Sequence, residues 1–392
     1  MSGSVRVFAG KAVSQVAAKL NPDSPLQRVI WRAARHRGAS IRDRSTVMTA
    51  RKVVIHSAGG YGKLKLEPLA IPTPKAGEVV VATEAIGVNY ADCVIRMGLY
   101  ASAKEYVGWP ITPGFEFSGT VLATGEGVSD LPAGTKVFGV TRFGGYSTHV
   151  CVPRHQLFVL PARLDAVQAA GFPTVFITAY YALFELAHPR PGAKMLVHSA
   201  AGGVGSALVQ LGRIAQGHVV GVVGSAHKVE TARAMGADVV IDKSSEDLWK
   251  AVERAAPQGY DVVFDANGVA TLGQSYKHLG STGKLVVYGF HSMMPRKGGK
   301  PNWLKLAWDW LRTPRYNPLT LTNDNTSVLA FNLSYLFDQH VLLTETMTRL
   351  IGWVEEGKLV APPVKRFALD EVAEAHRALE SGTTVGKLVL VP

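Results

Sequence analysis

The stretch Lys194-Met195-Leu196-Val197-His198-Ser199-Ala200-Ala201-Gly202-Gly203-Val204-Gly205 constrains the fold of this chain more than any other. An apolar run breaks into small residues and then opens a helical pattern. A buried strand, a tight turn and a helix N-terminus in that order make a pyrophosphate site, because first-turn N–H groups and the helix dipole both favour an anion. Ala200, Gly202 and Gly205 take the three glycine places of the dinucleotide fingerprint. Gly202 would let the backbone approach the phosphates, and Gly205 would let the helix lie close to the strand. Ala201, Gly203 and Val204 complete the expected cradle. A lone glycine triplet is a weak signal; the units that follow it strengthen it.

From about residue 176 the chain alternates apolar strand patterns (194–199, 218–223, 239–241, 261–265, 284–289) with helical ones (203–216, 226–235, 246–255, 271–279). Alternation of this length predicts an α/β fold with a doubly wound parallel sheet. An insertion at 291–325 precedes a further expected strand at 328–333, helices at 341–356 and 370–380, and a closing apolar strand at 387–391. The segment 51–175 reads differently. Short β-like runs at 53–56, 64–66, 79–85 and 120–123 are punctuated by glycine and proline turns. The expected organisation is a basic leader over 1–50, a β-rich domain over 51–175 completed by 336–392, and a dinucleotide-binding domain over 176–335.

At 392 residues and 47% hydrophobic content, the chain has mass for two domains with real cores. Its two cysteines, Cys93 and Cys151, cannot build a disulfide framework or a four-cysteine zinc site. No apolar run is long enough to span a bilayer and nothing resembles a secretory signal, so a cytoplasmic location is expected. The formal charge of +12 is concentrated: residues 1–50 hold nine Lys/Arg against Asp23 and Asp43, which is seven of the twelve charges. Such a leader reads as a disordered tail, as the product of a start upstream of Met48, or as a mitochondrial transit peptide. With the remaining body only mildly basic, no nucleic-acid partner is expected.

The cofactor follows from a missing acid. An NAD site places a carboxylate about 20 residues past the fingerprint, on the adenine ribose. Here the second strand runs into Gly224 and Ser225, with no acid before Glu230; Lys228 follows, and Lys243 lies just past the third strand. A carboxylate would repel a 2′-phosphate, whereas a hydroxyl and ammonium groups bind one. NADPH is therefore the expected cofactor, the alternative for Lys228 being a solvated first-turn lysine.

Several motifs recur in combination: Gly87-Val88-Asn89-Tyr90-Ala91-Asp92, Arg96-Met97-Gly98-Leu99-Tyr100, Pro113-Gly114-Phe115-Glu116-Phe117-Ser118-Gly119, Thr178-Ala179-Tyr180-Tyr181-Ala182-Leu183, the glycine turn, and Val385-Gly386-Lys387-Leu388-Val389. On these, residues 51–392 resemble the zinc-free quinone oxidoreductase branch of the medium-chain dehydrogenase/reductase superfamily, and most of all its vesicle amine transport protein one group. The resemblance implies a GroES-like catalytic domain clasping a Rossmann domain, with the active site between them. It also implies the absence of catalytic zinc. Metal-dependent relatives carry a cysteine where this chain has Asn89, and Gly-His-Glu where it has Gly114-Phe115-Glu116. The twelve histidines offer no close ligand spacing such as His-x3-His.

Hydride delivery without a metal suits an electron-poor acceptor, a quinone or an α,β-unsaturated carbonyl, and needs mainly positioning and hydrogen-bond donors. By resemblance, Asn89 lies beside the nicotinamide, Thr178 contacts its ribose or carboxamide, and Tyr100 donates in the cleft. The plainer readings are a helix cap for Asn89, helix packing for Thr178 and a loop anchor for Tyr100. Arg96 is expected to pair with Asp92 or Glu116. In some quinone reductases a tyrosine stands five residues after the asparagine, where this chain has Val94. Asn267-Gly268 and Tyr288-Gly289 end successive strands at the ligand-binding edge. Phe331, Asn332 and Leu333 would line the nicotinamide side or form a homodimer edge.

In the insertion, Trp303, Leu306, Ala307 and Trp310 share one face of a helix over 302–312 that is interleaved with basic residues. Such a segment suits a lid, a partner subunit or a peripheral contact with an anionic membrane. A membrane-associated or lipid-handling protein retaining a reductase fold is accordingly the second functional expectation.

Overall fold

The computed structural model describes residues 50–392; the basic leader, with its targeting and start-site readings, lies outside the described residues. Six parallel strands form one sheet in the order Val239–Asp242, His218–Val223, Lys194–His198, Tyr260–Asp265, Leu279–Val287, Ser327–Ala330. Counted from Lys194–His198 this is 3-2-1-4-5-6, the doubly wound order with its topological switch beside the first strand. Helices cover both faces, so Met195, Leu196 and Val197 are all fully buried, without polar alternation. Helix Gly203–Ile214 leaves the first strand through the glycine turn, and all residues from Gly205 to Gly212 are buried.

The second sheet runs Val364–Ala368, Lys387–Val391, Glu78–Val88, Glu116–Thr124, Lys136–Val140, Leu157–Val159, with His149–Pro153 also paired to Glu78–Val88. Apart from the parallel pair Val364–Ala368 and Lys387–Val391 it is antiparallel. Its long strand keeps one face on a core shared with Phe117, Leu388 and Leu390. Val79 and Val81 begin that face, the register shifts between Thr83 and Ala85, and Ile86 and Val88 continue it. The shift carries the strand three residues past its expected end and delivers Asn89 to the junction of the two sheets.

That junction is made by backbone as well. Gly202 bridges Gly386, and the Gly386 N–H donates to Ala201 O at 2.8 Å. Helix Pro173–Tyr180, which continues as a widened π-type helix over Tyr181–Ala187, packs against Gly203–Ile214 from the side of the second sheet. The strand expected at 328–333 stops at Ala330. The Asn332 side chain accepts from the Ser334 N–H and turns the chain into a short 3-10 helix, Leu333–Leu336. Helices Tyr90–Arg96 and Ala101–Tyr106 were not marked by any strong apolar period; they hang the next motifs beside the junction.

Candidate active site

The turn after Lys194–His198 is built by two backbone requirements. Ser199 adopts φ +57°, and the Gly202 N–H returns to Ser199 O at 2.8 Å. A Cβ on Gly205 would stand 2.1 Å from that same oxygen, so only glycine lets the helix sit this close to the strand. A Cβ on Gly202 would meet only Ser199 O, tightly, at 3.2 Å. The first-turn N–H groups of Gly203, Val204 and Gly205 have no intrahelical acceptor and suit a diphosphate.

Opposite them, buried Asp265 shapes the next loop. Its carboxylate accepts from the N–H groups of Asn267 and Gly268, at 2.8 and 3.1 Å, and from the hydroxyls of Thr271 and Ser275. Gly268 sits at φ +84° against Phe290. Tyr288 and Gly289 follow on the adjacent strand, where the Tyr288 N–H donates to Asp265 O. His291 comes next, its ring edge-on to Tyr90 at 6.0 Å; burial pushes its pKa down to about 4, so it is neutral.

Three cations converge beyond the second and third strands. The Lys228 ammonium donates to Gly382 O at 2.6 Å; burial and then Lys243 lower its pKa. Lys243 is lowered by desolvation and then by the Arg296 guanidinium, with Asp265 partly offsetting. Arg296 belongs to the insertion, and the sequence reading did not place it here. The Ser225 hydroxyl lies 3.2 Å from His227 Nδ1, and His227 in turn reaches Thr383 O.

On the other side of the junction Asn89 heads helix Tyr90–Arg96. Its N–H donates to Asp92, but its side chain does not cap the helix. The amide Nδ2 donates to Glu116 Oε1 at 2.9 Å, while the amide oxygen accepts from the Lys387 ammonium. Lys387 also pairs with Glu116 at 2.7 Å, and Glu116 Oε2 accepts from the Thr174 N–H. An ammonium only donates and a carboxylate only accepts, so the neighbours dictate which way the amide points. One N–H and one lone pair of Asn89 remain unengaged. A Cβ on Gly87 would overlap Glu116 at 2.3 Å, which explains glycine in the strand just before Asn89. Asp92 holds the surrounding loops. It accepts from the Asn89 and Gly114 N–H groups and the Tyr146 hydroxyl, and burial pushes its carboxyl up to about 7.

The Tyr100 hydroxyl donates to Asn332 Oδ1 at 2.8 Å, so two residues expected in one cleft meet across the two halves of the chain. The same Asn332 oxygen also accepts from the Ser334 N–H and hydroxyl. Phe331 packs on Tyr181, ring centroids 4.9 Å apart, and Leu333 joins the same apolar cluster. The Thr178 hydroxyl donates to Thr174 O one helical turn back, at 2.6 Å, which leaves its oxygen as an acceptor only. An apolar cavity of about 230 Å³ lies behind Tyr100, walled by Ile95, Ile111 and Trp109.

The expected Arg96 partners are corrected. Fully buried Arg96 pairs with Glu380 at 2.7 Å and also reaches His376 Nδ1, Gly59 O and Gly299 O, with its guanidinium over the Tyr61 ring. Helix Val372–Glu380, which carries Glu380 and His376, packs directly against Tyr90–Arg96, so these partners are closer than Asp92 or Glu116.

Comparison with known proteins gives two family matches. Residues 75–162 match the alcohol dehydrogenase GroES-like domain, and residues 235–390 match a family described as zinc-binding dehydrogenase. The human synaptic vesicle membrane protein VAT-1 homolog is 35% identical over 87% of this chain and 86% of its own length. A Burkholderia 2-haloacrylate reductase is 30% identical over 86% of this chain and 98% of its own length. Among solved structures, Escherichia coli quinone oxidoreductase complexed with NADPH superimposes with a TM-score of 0.76, at 28% identity, over 88% of this chain and all of that one.

Among the described residues, the zinc named by the second family match finds no ligand set that is free to bind it. Asn89 is engaged by Lys387 and Glu116, and the ammonium already neutralises that carboxylate. Among the described residues, one cluster of metal-type donors exists: Cys93, His376 and Glu380, within 4.8 Å. The Arg96 guanidinium fills it, and both His376 ring nitrogens are hydrogen-bonded, to Arg96 and to Tyr146.

Proposed function

The chain belongs to the medium-chain dehydrogenase/reductase superfamily, and on that premise we propose that it is a zinc-independent, NADPH-dependent reductase of quinones or α,β-unsaturated carbonyls. The observation that supports this reading is the Tyr100–Asn332 contact, which joins a hydroxyl of one half to the turn that follows the last strand of the parallel sheet.

Ala201, Gly202, Gly203, Val204 and Gly205 hold the pyrophosphate at the helix N-terminus. Lys228, Lys243 and Ser225, joined by Arg296, take the 2′-phosphate; burial first and then repulsion among these cations lower both lysine pKa values, which an added anion would relieve. Gly268, Tyr288 and Gly289 border the ribose side, and Phe331 and Leu333 exclude water from the nicotinamide face. NADPH, when bound, supplies the hydride.

The protein's part is then to stabilise negative charge on the acceptor oxygen. Asn89 offers its remaining N–H in an orientation fixed by Lys387 and Glu116. Tyr100 can turn its hydroxyl from Asn332 to substrate, because Asn332 keeps two other donors. Thr178 accepts from the ribose or carboxamide. The similarity to a 2-haloacrylate reductase and to a quinone oxidoreductase supports an electron-poor acceptor of this class.

The test is NADPH oxidation by purified protein against quinones and enones, with NADH and a chelator as controls. Chelator-resistant turnover faster with NADPH than NADH is the expected result; NADPH binding with no turnover on any acceptor overturns the reading. We further infer a cytoplasmic homodimer joined at strand Ser327–Ala330, which among the described residues pairs on one side only. Light scattering at the monomer mass would remove it. The vesicle-membrane naming of the relatives supports a second reading, a role at a membrane surface. Among the described residues no helix is long and apolar enough to cross a membrane, so that role means peripheral contact.

A further inference from the structure

The cavity of about 230 Å³ beside Tyr100 is enclosed by the chain on either side of the short helix Ala101–Tyr106 and by the helix itself. Ile95, Ala103 and Ile111 line it, and all three are buried. Ile111 is fixed by the two backbone bonds it exchanges with Ile55, at 2.8 and 2.9 Å. The helix is held from its other side. The Ser334 hydroxyl donates to Ser102 Oγ at 2.7 Å, and the Tyr335 hydroxyl donates to Glu105 at 3.0 Å. These walls are braced, so the cavity does not come from a slack loop.

Protein interiors leave few gaps larger than a water molecule, because the lining atoms forfeit dispersion contacts. Polar groups that would hold ordered water are scarce here. The Tyr100 hydroxyl is committed to Asn332, and Lys104, the one charged residue on the lining, is exposed. An apolar cavity of about 150 Å³ already takes a benzene ring, so this one has room for a ring or chain of about six to eight carbons. One side is open at Gly108, where a Cβ would meet nothing within 4 Å, between exposed Val107 and Trp109.

Tyr100 decides which hydrocarbon belongs there. Its ring is one wall of the cavity, and its hydroxyl is the donor assigned above to the acceptor oxygen. An acceptor held by that oxygen brings the substituents of its conjugated carbons to the same walls, and burying them there removes apolar surface from water.

Resting on the reductase reading, we propose that this cavity is the subsite for an apolar substituent of the acceptor, an alkyl chain or ring of about six to eight carbons. Ile95, Ala103, Ile111 and Trp109 set the length it accepts.

The first test needs no turnover. The full chain is titrated by saturation-transfer NMR with 2-pentanone and with 2-nonanone, which carry a carbonyl and no double bond to reduce. Each buried methylene is worth roughly threefold to fourfold in affinity, so 2-nonanone should bind more than about tenfold tighter. Ala103→Leu and Ala103→Phe, which fill the cavity by steps, should remove that preference by steps, with melting temperatures checking the fold. Kinetics follow with NADPH and two acceptor series of rising chain length, alkenones and alkyl-1,4-benzoquinones. In wild type kcat/KM should climb with the chain and level off beyond about eight carbons, and in the two variants it should level off earlier. Equal affinity for the two ketones, or a preference that Ala103→Phe retains, overturns the proposal. Tail-dependent binding that Ala103→Phe abolishes, with no turnover of either series, keeps the subsite and removes the reductase reading. Turnover that ignores chain length keeps the reductase and removes the subsite.

Discussion

The Lys387 ammonium lies 2.5 Å from the Asn89 amide oxygen, a contact between residues 298 positions apart, and both side chains are buried. The same ammonium is paired with Glu116, whose side chain is wholly buried. Lys387 thus neutralises a carboxylate and fixes an amide at once.

Replacing Lys387 by Met should cost about 3–5 kcal/mol of stability, the range for orphaning a buried charge. Urea denaturation measures it. Adding Glu116→Gln should restore a large part of that loss, whereas additive losses would show that the two side chains are not coupled.

Two glycines of the same turn should respond differently. Gly205→Ala forces a Cβ to 2.1 Å from Ser199 O and should lower stability by about 1–3 kcal/mol. Gly202→Ala meets only Ser199 O, at 3.2 Å, a tight contact that a shift of a few tenths of an ångström relieves, but it adds a methyl to the proposed diphosphate cradle. Its melting temperature should stay near wild type while NADPH affinity falls roughly tenfold or more, the loss of one charge-assisted contact. Equal melting temperatures for the two variants would contradict this division.

Lys228→Ser should weaken NADPH roughly tenfold to a hundredfold, from the same contact energy, and leave NADH nearly unchanged. A pH dependence follows. Lys228 and Lys243 have lowered pKa values, so without ligand they lose charge at a lower pH than a free lysine does. A phosphate favours their charged forms, so NADPH affinity should fall as pH rises toward the lysine range, with NADH flat across it. Calorimetric titration of both cofactors at several pH values distinguishes this from a parallel decline.

Tyr100→Phe removes one bond between the two halves of the chain. Asn332 Oδ1 retains its Ser334 donors, so the stability loss should be only about 0.5–1.5 kcal/mol. Turnover on enones should fall roughly a hundredfold if the hydroxyl serves the acceptor oxygen, with NADPH affinity unmoved. Wild-type turnover would reduce Tyr100 to a loop anchor.

The doubly wound sheet was legible because each of its units is local: an apolar run, a turn and a helix within about thirty residues. The glycine turn was legible for the same reason, down to the closeness at Gly205. What escaped were contacts that only the assembled molecule makes. Lys387 stood in a quoted motif, yet nothing in its neighbourhood says that it ends at Asn89. Arg296 lies in an insertion whose path brings it back to Lys243. Arg96 needed a carboxylate, and the one it found, Glu380, is on a helix near the other end of the chain. For Trp303–Arg312 the amphipathic period was visible, but a period does not say which side faces inward, and the Lys305 bond to Ser292 O lies outside any local pattern.

The strand that carries Lys387 enters the second sheet between Val364–Ala368 and Glu78–Val88, after the whole six-stranded sheet has intervened. This imposes an order on assembly. The parallel sheet closes over shorter sequence distances, and closing the longer loop costs more chain entropy. The parallel sheet can therefore form while Asn89, already bonded to Glu116, still lacks Lys387. On the proposed function, the last strand also settles the glycine turn through Gly386 and Lys228 through Gly382, so during refolding tight cofactor binding and turnover should return together, and a half-assembled chain would be idle in both respects.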